Sequence, residues 1–224
     1  MSARSDEAII RESLERAAPE IQVTGISPSP VEGVFEVRIQ DNQTRLYVTG
    51  DGRHFVAGDL YAVLGTGVNN LSEEGRKAQR RAALGGIPAE DLIAFAPNQK
   101  LEVVLYVFTD VDCPYCRILH QDVARLGDYG VEVRYLAYPR SGPGTSTYDK
   151  MVSAWCSRSP SIAIAALFED KKIDSVSCLS PVAAHFELAK SLGIGGTPTL
   201  FTEDGTEISG YYPVEELIAM LGLE

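Results

Sequence analysis

One stretch constrains the fold of this chain more than any other. It runs from Leu101 to Phe108 and on through Thr109-Asp110-Val111-Asp112-Cys113-Pro114-Tyr115-Cys116. Apart from Glu102, the first eight residues are apolar and rich in β-branched side chains, the composition of a strand covered on both faces. Beyond Asp112 the period changes, with Ile118, Leu119, Val123 and Leu126 recurring at helical spacing. A second apolar run, Val131 to Tyr138, follows the helix, so strand, helix and strand form a βαβ unit. Cys113 falls near the helix N-cap. Pro114 takes the first helical position, where a missing N–H costs nothing.

That placement has chemical consequences. A helix N-terminus carries partial positive charge and unpaired N–H groups, which favour a thiolate over a thiol. An ordinary cysteine, with a pKa of about 8.5, is only a few per cent thiolate at neutral pH. Cys113 is therefore the candidate nucleophile, and Cys116, one turn further in, the candidate buried resolving thiol. A static disulfide or a pair of zinc ligands would use the same spacing, but the strand-to-helix junction favours redox chemistry. Nearby, Asp110 either tunes the thiols or serves local hydrogen bonds. His120 reads as a surface histidine, Tyr115 as a shaper of the local surface, and Tyr211 and Tyr212 as packing residues.

The chain has 224 residues, enough for two domains, and with 45% apolar and 23% charged residues it should fold. A formal charge of −11 with no offsetting basic run argues against nucleic-acid binding. No apolar run reaches the length of a membrane span. Met1 to Arg16 is polar and helix-like, without the apolar core of a secretory signal, so the expectation is a cytosolic protein or a secreted one with its signal removed. The cysteines weigh on that choice. Beyond Cys113 and Cys116, Cys156 and Cys178 remain as a candidate structural pair; a bridge there closes a loop of about 23 residues and stabilises by roughly 3 kcal/mol. Such a bridge favours an oxidising compartment and a removed signal.

Along the chain, residues 5 to 17 read as a helix capped by Ser5, with Asp6 and Glu7 in its first turn. Strand signals follow at Ile21 to Ile26, Val34 to Ile39, Leu46 to Thr49 and His54 to Val56, the last two flanking the turn Gly50-Asp51-Gly52. Leu60 to Leu64 adds a further strand, and residues 1–70 thus form a small α+β module, with His54 a structural residue. About seventy residues bury too little surface to be robust alone, which makes pairing with a second copy plausible. Ser72 to Ala83 reads as a solvated helix, and Gly85-Gly86-Ile87-Pro88 as a hinge, giving a linker over 71–87. Residues 88–224 form the second domain: Thr147 to Ser157, Ser161 to Glu169 and Pro181 to Leu192 are helical in pattern, Gly193 to Phe201 carries a strand, a return strand ends near Tyr211, and Val214 to Leu223 closes the chain as a helix.

A C-x-x-C at a strand–helix junction, a later Gly196-Thr197-Pro198 before a strand, a hairpin and a final helix resemble the thioredoxin fold. The whole chain is similar to the periplasmic disulfide isomerases of the DsbC type and to their DsbG-type relatives. The matching residues are Phe108-Thr109-Asp110, Cys113-Pro114-Tyr115-Cys116, Gly196-Thr197-Pro198, Tyr47 to His54, and Tyr61. The resemblance implies an α+β, cystatin-like dimerisation module joined by a helical linker to an α/β thioredoxin-fold domain with a helical insertion. It also implies a homodimer with two redox sites facing a shared cleft. It further implies a cis Thr197–Pro198 bond packed against the cysteines, leaving the Thr197 backbone free to pair with an extended substrate strand. Pro114 and Tyr115 complete the expected substrate-binding set. The Pro-Tyr dipeptide is more typical of the DsbG type, whereas a bridge between Cys156 and Cys178 is a DsbC-type feature.

The implied activity is isomerisation or reduction of non-native disulfides in misfolded secreted proteins, by attack of Cys113 and resolution by Cys116. A membrane thiol reductase of the DsbD type would keep both cysteines reduced, and no metal or organic cofactor is needed. The alternative is a DsbG-like reductase of sulfenylated cysteines with holdase chaperone activity. A DsbA-like oxidase leaves the N-terminal module without a role. A four-cysteine zinc site lacks the paired spacing at Cys156 and Cys178.

Overall fold

The computed structural model describes residues 5–40, 44–65 and 67–223, so Met1 to Arg4 of the polar N-terminal stretch lie outside the described residues. The chain divides into two compact units, Met1–Arg76 with Ser191–Gly193, and Lys77–Lys190 with Ile194–Glu224.

In the first unit, α1 (Asp6–Ala17) follows Ser5, which has extended backbone but makes no side-chain capping bond. Helix α1 lies against an antiparallel meander of β1 (Val23–Pro28), β2 (Val34–Ile39), β3 (Arg45–Thr49) and β4 (Phe55–Ala57), in that spatial order. Ile10 and Leu14, one helical turn apart, close a core of five buried residues with Val37, Leu46 and Val48. The turn between β3 and β4 is held by Asp51, which accepts from the Thr49 hydroxyl at 2.5 Å and from the Arg53 N–H at 3.0 Å. A separate hairpin pairs β5 (Tyr61–Leu64) with β6 (Gly67–Asn70). Phe55, Val56, Tyr61, Val63, Leu64 and Val68, all on β4 to β6, are exposed.

Helix α2 (Leu71–Gly85) differs from its expected solvated character. In the first unit Ser72 is fully buried, its hydroxyl 2.6 Å from the Tyr47 hydroxyl, while Arg76 forks onto Asp59 at 2.8 and 2.9 Å. In the second unit Lys77 pairs with Asp204 at 2.9 Å, Arg80 with Glu207 at 2.6 Å, and the Arg80 guanidinium lies 5.5 Å from the Phe201 ring centroid. Arg76, Lys77 and Arg80 of this helix are thus matched to partners distant in sequence, which a count of charges does not register.

The second unit is built on a five-stranded sheet in the order β11 (Glu207–Ser209), β10 (Thr199–Thr202), β8 (Val103–Thr109), β9 (Val131–Ala137), β7 (Ile93–Phe95). Only β8 and β9 are parallel, joined through α3 (Pro114–Asp128); the other pairs are antiparallel. Central β8 is covered on both faces. Leu105 and Val107 face the main core, which includes Cys116, Leu119 and Val123 of α3, and on the alternate positions Phe108 meets Phe201 edge-on at 6.0 Å. Helices α4 (Ser146–Trp155), α5 (Pro160–Phe168) and α6 (Val182–Ser191) form an insertion between β9 and β10, and α7 (Val214–Leu221) closes the chain. A disulfide joins Cys156, at the end of α4, to Cys178, with a Cα–Cα distance of 5.6 Å. Among the described residues no helix is long and apolar enough to cross a membrane.

Candidate active site

Parallel pairing of β8 with β9 sets Thr109 opposite Ala137, so the segments after both strands emerge at one edge of the sheet. From the first come Asp110, Asp112 and Cys113; from the second comes Arg140. Asp110 is buried and fully used: one carboxylate oxygen accepts the Asp112 N–H at 2.8 Å, the other accepts the backbone N–H and the Nε of Arg140 at 3.0 and 2.9 Å. The carboxylate that precedes the cysteines therefore serves local hydrogen bonds, and through them anchors a guanidinium beside the thiols.

Cys113 is the N-cap of α3 and Pro114 its first residue. The Thr197–Pro198 peptide bond is cis, and the Cys113 thiol donates to the Thr197 carbonyl at 3.2 Å. Both sulfur-bearing residues are almost inaccessible, each 1% exposed, whereas Tyr115 between them is 60% exposed. Exposure does not distinguish the two thiols; electrostatics does.

The Cys113 thiol is lowered to about 5. The largest cause is the hydrogen bond from the Cys116 side chain; the Thr197 side chain, the Cys116 N–H and the positive charge of Arg140 add to it, against burial. Cys116 is pushed strongly upward, first by burial and then by Cys113, while the Thr109 side chain and the Asp110 N–H pull the other way. One proton is thus held on Cys116, and the negative charge rests on Cys113. As a thiolate, Cys113 accepts from the Cys116 S–H and from the Thr197 hydroxyl, an oxygen with no other partner.

A charged rim adjoins this pair. Asp112 accepts from the Thr147 hydroxyl at 2.6 Å and from Lys150 at 2.9 Å; Arg117 stands 3.8 Å from Asp112 and pairs with Asp170. Burial opposes the Asp112 charge, but these partners outweigh it and hold its carboxyl below the ordinary range.

His120 departs from the surface position expected of it. Its Nδ1 is 3.0 Å from the buried Tyr135 hydroxyl, its ring stacks on Phe168 at 4.8 Å and meets Phe95 at 5.3 Å, and burial lowers its pKa. The insertion helix α5 covers this side of α3, which a helical period alone cannot reveal. Tyr211 and Tyr212 pack against the core, and the Tyr211 hydroxyl donates to Asp122 at 2.9 Å. Sequence reasoning missed Arg140, and it carried Thr109 only as part of the matching Phe108-Thr109-Asp110 stretch, with no role of its own. The signal for Arg140 was its position: it follows the second strand of a βαβ unit whose first strand ends beside the cysteines. Among the described residues, no cluster of three or more His, Cys, Asp or Glu is arranged to hold a metal ion.

Comparison with known proteins bears on both units. Residues 1–73 match the disulfide bond isomerase protein N-terminal domain, and residues 88–223 match the thioredoxin-like domain. The chain is 33% identical over 219 residues to the thiol:disulfide interchange protein DsbC of Dickeya dadantii, covering 98% of this chain and 88% of that protein. It is 34% identical over 215 residues to DsbC of Escherichia coli, covering 96% and 87%. Among solved structures, a disulfide interchange protein from Neisseria gonorrhoeae is similar with a TM-score of 0.53 and 28% identity, over 62% of this chain and 100% of that one. With an α+β N-terminal module and a thioredoxin fold carrying a helical insertion, matched over nearly its whole length, the chain belongs to the DsbC family of thiol:disulfide interchange proteins.

Proposed function

We propose that this thiol–disulfide oxidoreductase isomerises or reduces non-native disulfides of secreted proteins, with Cys113 as nucleophile and Cys116 as resolving thiol. The observation that carries this reading is the opposite pull on two neighbouring sulfurs: Cys113 is lowered to about 5, and Cys116 is raised by burial. The Cys113 thiolate attacks one sulfur of a substrate disulfide, forming a mixed disulfide and expelling the other substrate sulfur as a thiolate. A substrate thiolate then attacks the mixed disulfide, which is isomerisation, or Cys116 does, which releases reduced substrate and leaves Cys113 and Cys116 oxidised. A low pKa makes Cys113 both available for attack and a good leaving group.

Thr197, Pro198, Tyr115 and Pro114 are the substrate-binding set in this reading. Pro114 and Tyr115 are exposed beside the nucleophile, and Thr197 reaches its sulfur through backbone and side chain. Residues 1–70 serve as the dimerisation domain, 71–87 as the linker and 88–224 as the catalytic domain. The exposed apolar side chains of β4 to β6 support a homodimer, since a solitary unit with a five-residue core gains by covering them. Kinship with DsbC supports a periplasmic location and a DsbD-type reductant. The reductase of sulfenylated cysteines loses ground, because the relatives matched over 96–98% of the chain are DsbC proteins and Cys156 is bridged to Cys178.

Trapping tests the assignment. With Cys116→Ala in the full chain, a disulfide-bonded peptide should accumulate on Cys113; with Cys113→Ala no adduct should form. An adduct on Cys116 in the second variant would reverse the roles.

A further inference from the structure

The face of β8 that meets α3 is apolar until its last residue. Leu105 and Val107 alternate onto the core that contains Cys116, and Thr109 is next in the same row. Thr109 is 1% exposed, and its backbone carbonyl accepts the Tyr138 N–H at 2.8 Å. Its hydroxyl is different: the oxygen is buried and makes no hydrogen bond. A valine would fill the place without stranding a polar group. The β-branched side chain has few rotamers open to it, so the hydroxyl is aimed rather than free.

Among the described residues, the hydrogen bonds that favour a thiolate on Cys116 come from this side chain and the Asp110 N–H, with the more general positive charge of Arg140 acting on both sulfurs. Cys113, by contrast, draws on three such bonds besides that charge. We propose that Thr109 is a positioning residue for the resolving step, its hydroxyl donating to Cys116 Sγ as that sulfur becomes a thiolate and so setting the rate of substrate release. In that step the Cys116–Cys113 S–S bond forms and the bond between Cys113 and the substrate sulfur breaks. Two electrons pass to the departing sulfur, and the proton lost from Cys116 is made up on the released substrate thiol. The hydroxyl is unpaired while Cys116 is a thiol and paired only as it reacts. It therefore governs how long the mixed disulfide survives, and with it the balance between reduction by Cys116 and isomerisation by a thiolate of the substrate.

This inference rests on the assignment of Cys113 as nucleophile and Cys116 as resolving thiol. The test uses the full reduced chain, a fluorescent disulfide-bonded peptide and rapid acid quench, so that adduct formation and adduct escape are timed separately. Thr109→Val should slow escape about tenfold, the effect of one hydrogen bond to a charged group, while adduct formation changes less than twofold. Thr109→Ser should restore escape, and Thr109→Ala, which removes the hydroxyl without adding a methyl group, should repeat the valine result. The titratable groups that interact with Cys116 are Cys113, Tyr135 and Arg140. All are retained in these variants, so the midpoint of the pH profile for escape should move upward in Thr109→Val. Escape unchanged in both the valine and alanine variants, while Cys116→Ala still blocks it, would overturn the inference and leave the assignment intact. Equal slowing of formation and escape would also overturn it, as a packing effect. Wild-type adduct on a residue other than Cys113 would remove the assignment itself.

Discussion

Acidification should silence Cys113 over a narrow and unusual range. With its thiol lowered to about 5, the ratio of thiolate to thiol is about 100 to 1 at pH 7, about even at pH 5 and about 1 to 10 at pH 4. An ordinary thiol at about 8.5 would already be mostly protonated at pH 7. Alkylation of Cys113 by iodoacetamide, followed by mass spectrometry of the peptide that carries it, should be flat from pH 7 to 6, half-maximal near 5 and about tenfold slower at pH 4. The same shift links to stability. Because the folded pKa is depressed, the stabilisation is fully present above the ordinary thiol range, declines by up to about 1.4 kcal/mol per unit as pH falls, and is gone below about 5. The reduced protein should therefore lose stability relative to the oxidised one between pH 8 and 5. Cys116→Ala removes the largest cause of the shift, so its Cys113 midpoint should rise by a unit or more (about tenfold in ratio). A wild-type midpoint near 8, or one indifferent to Cys116, would refute the reasoning.

Arg140 contributes charge from a fixed perch on buried Asp110. Arg140→Met should raise the Cys113 midpoint by about half to one unit, and Arg140→Lys should recover only part of that because it cannot donate from the same fork; titration by absorbance at 240 nm checks both. Removing the Cys156–Cys178 bridge, across a sequence separation of 22, should cost roughly 3 kcal/mol and lower Tm by about 6–12 °C for a unit of this size, as read from melts of the Cys156→Ala/Cys178→Ala double variant. If homodimerisation runs through β4 to β6, Val63→Arg should place unpaired charges in the interface and yield a monomer by sedimentation, with peptide reduction retained and isomerisation lost.

The β8–α3 junction was legible in the sequence because three signals agree there: a β-branched run, a change of period and a proline at the first helical position. The hydrophobic alternation of β2 was equally clear. Strands β6 and β7 were not, since four residues reading Gly-Val-Asn-Asn and three reading Ile-Ala-Phe are too short to show a period. Nor was the environment of α2: Arg80 counts as a surface charge until Glu207 and Phe201, more than 120 residues away in sequence, are placed beside it. In the site, the cysteines and the Thr-Pro loop carry their own motif. The groups that tune the thiols are less legible: Arg140 belongs to no motif, and Thr109 stands in the Phe108-Thr109-Asp110 stretch with nothing to mark its hydroxyl, so their bearing on the sulfurs is found only when strand register brings them together.

The most direct test of the central claim is reactivation of scrambled, fully oxidised ribonuclease by the intact, reduced protein. The account predicts that the wild type restores ribonuclease activity, that Cys113→Ala does not, and that Cys116→Ala retains part of it, because isomerisation can proceed without resolution. Reactivation by Cys113→Ala at the wild-type rate, or none by the wild type while it still reduces peptide disulfides, would contradict the claim that Cys113 drives an isomerase.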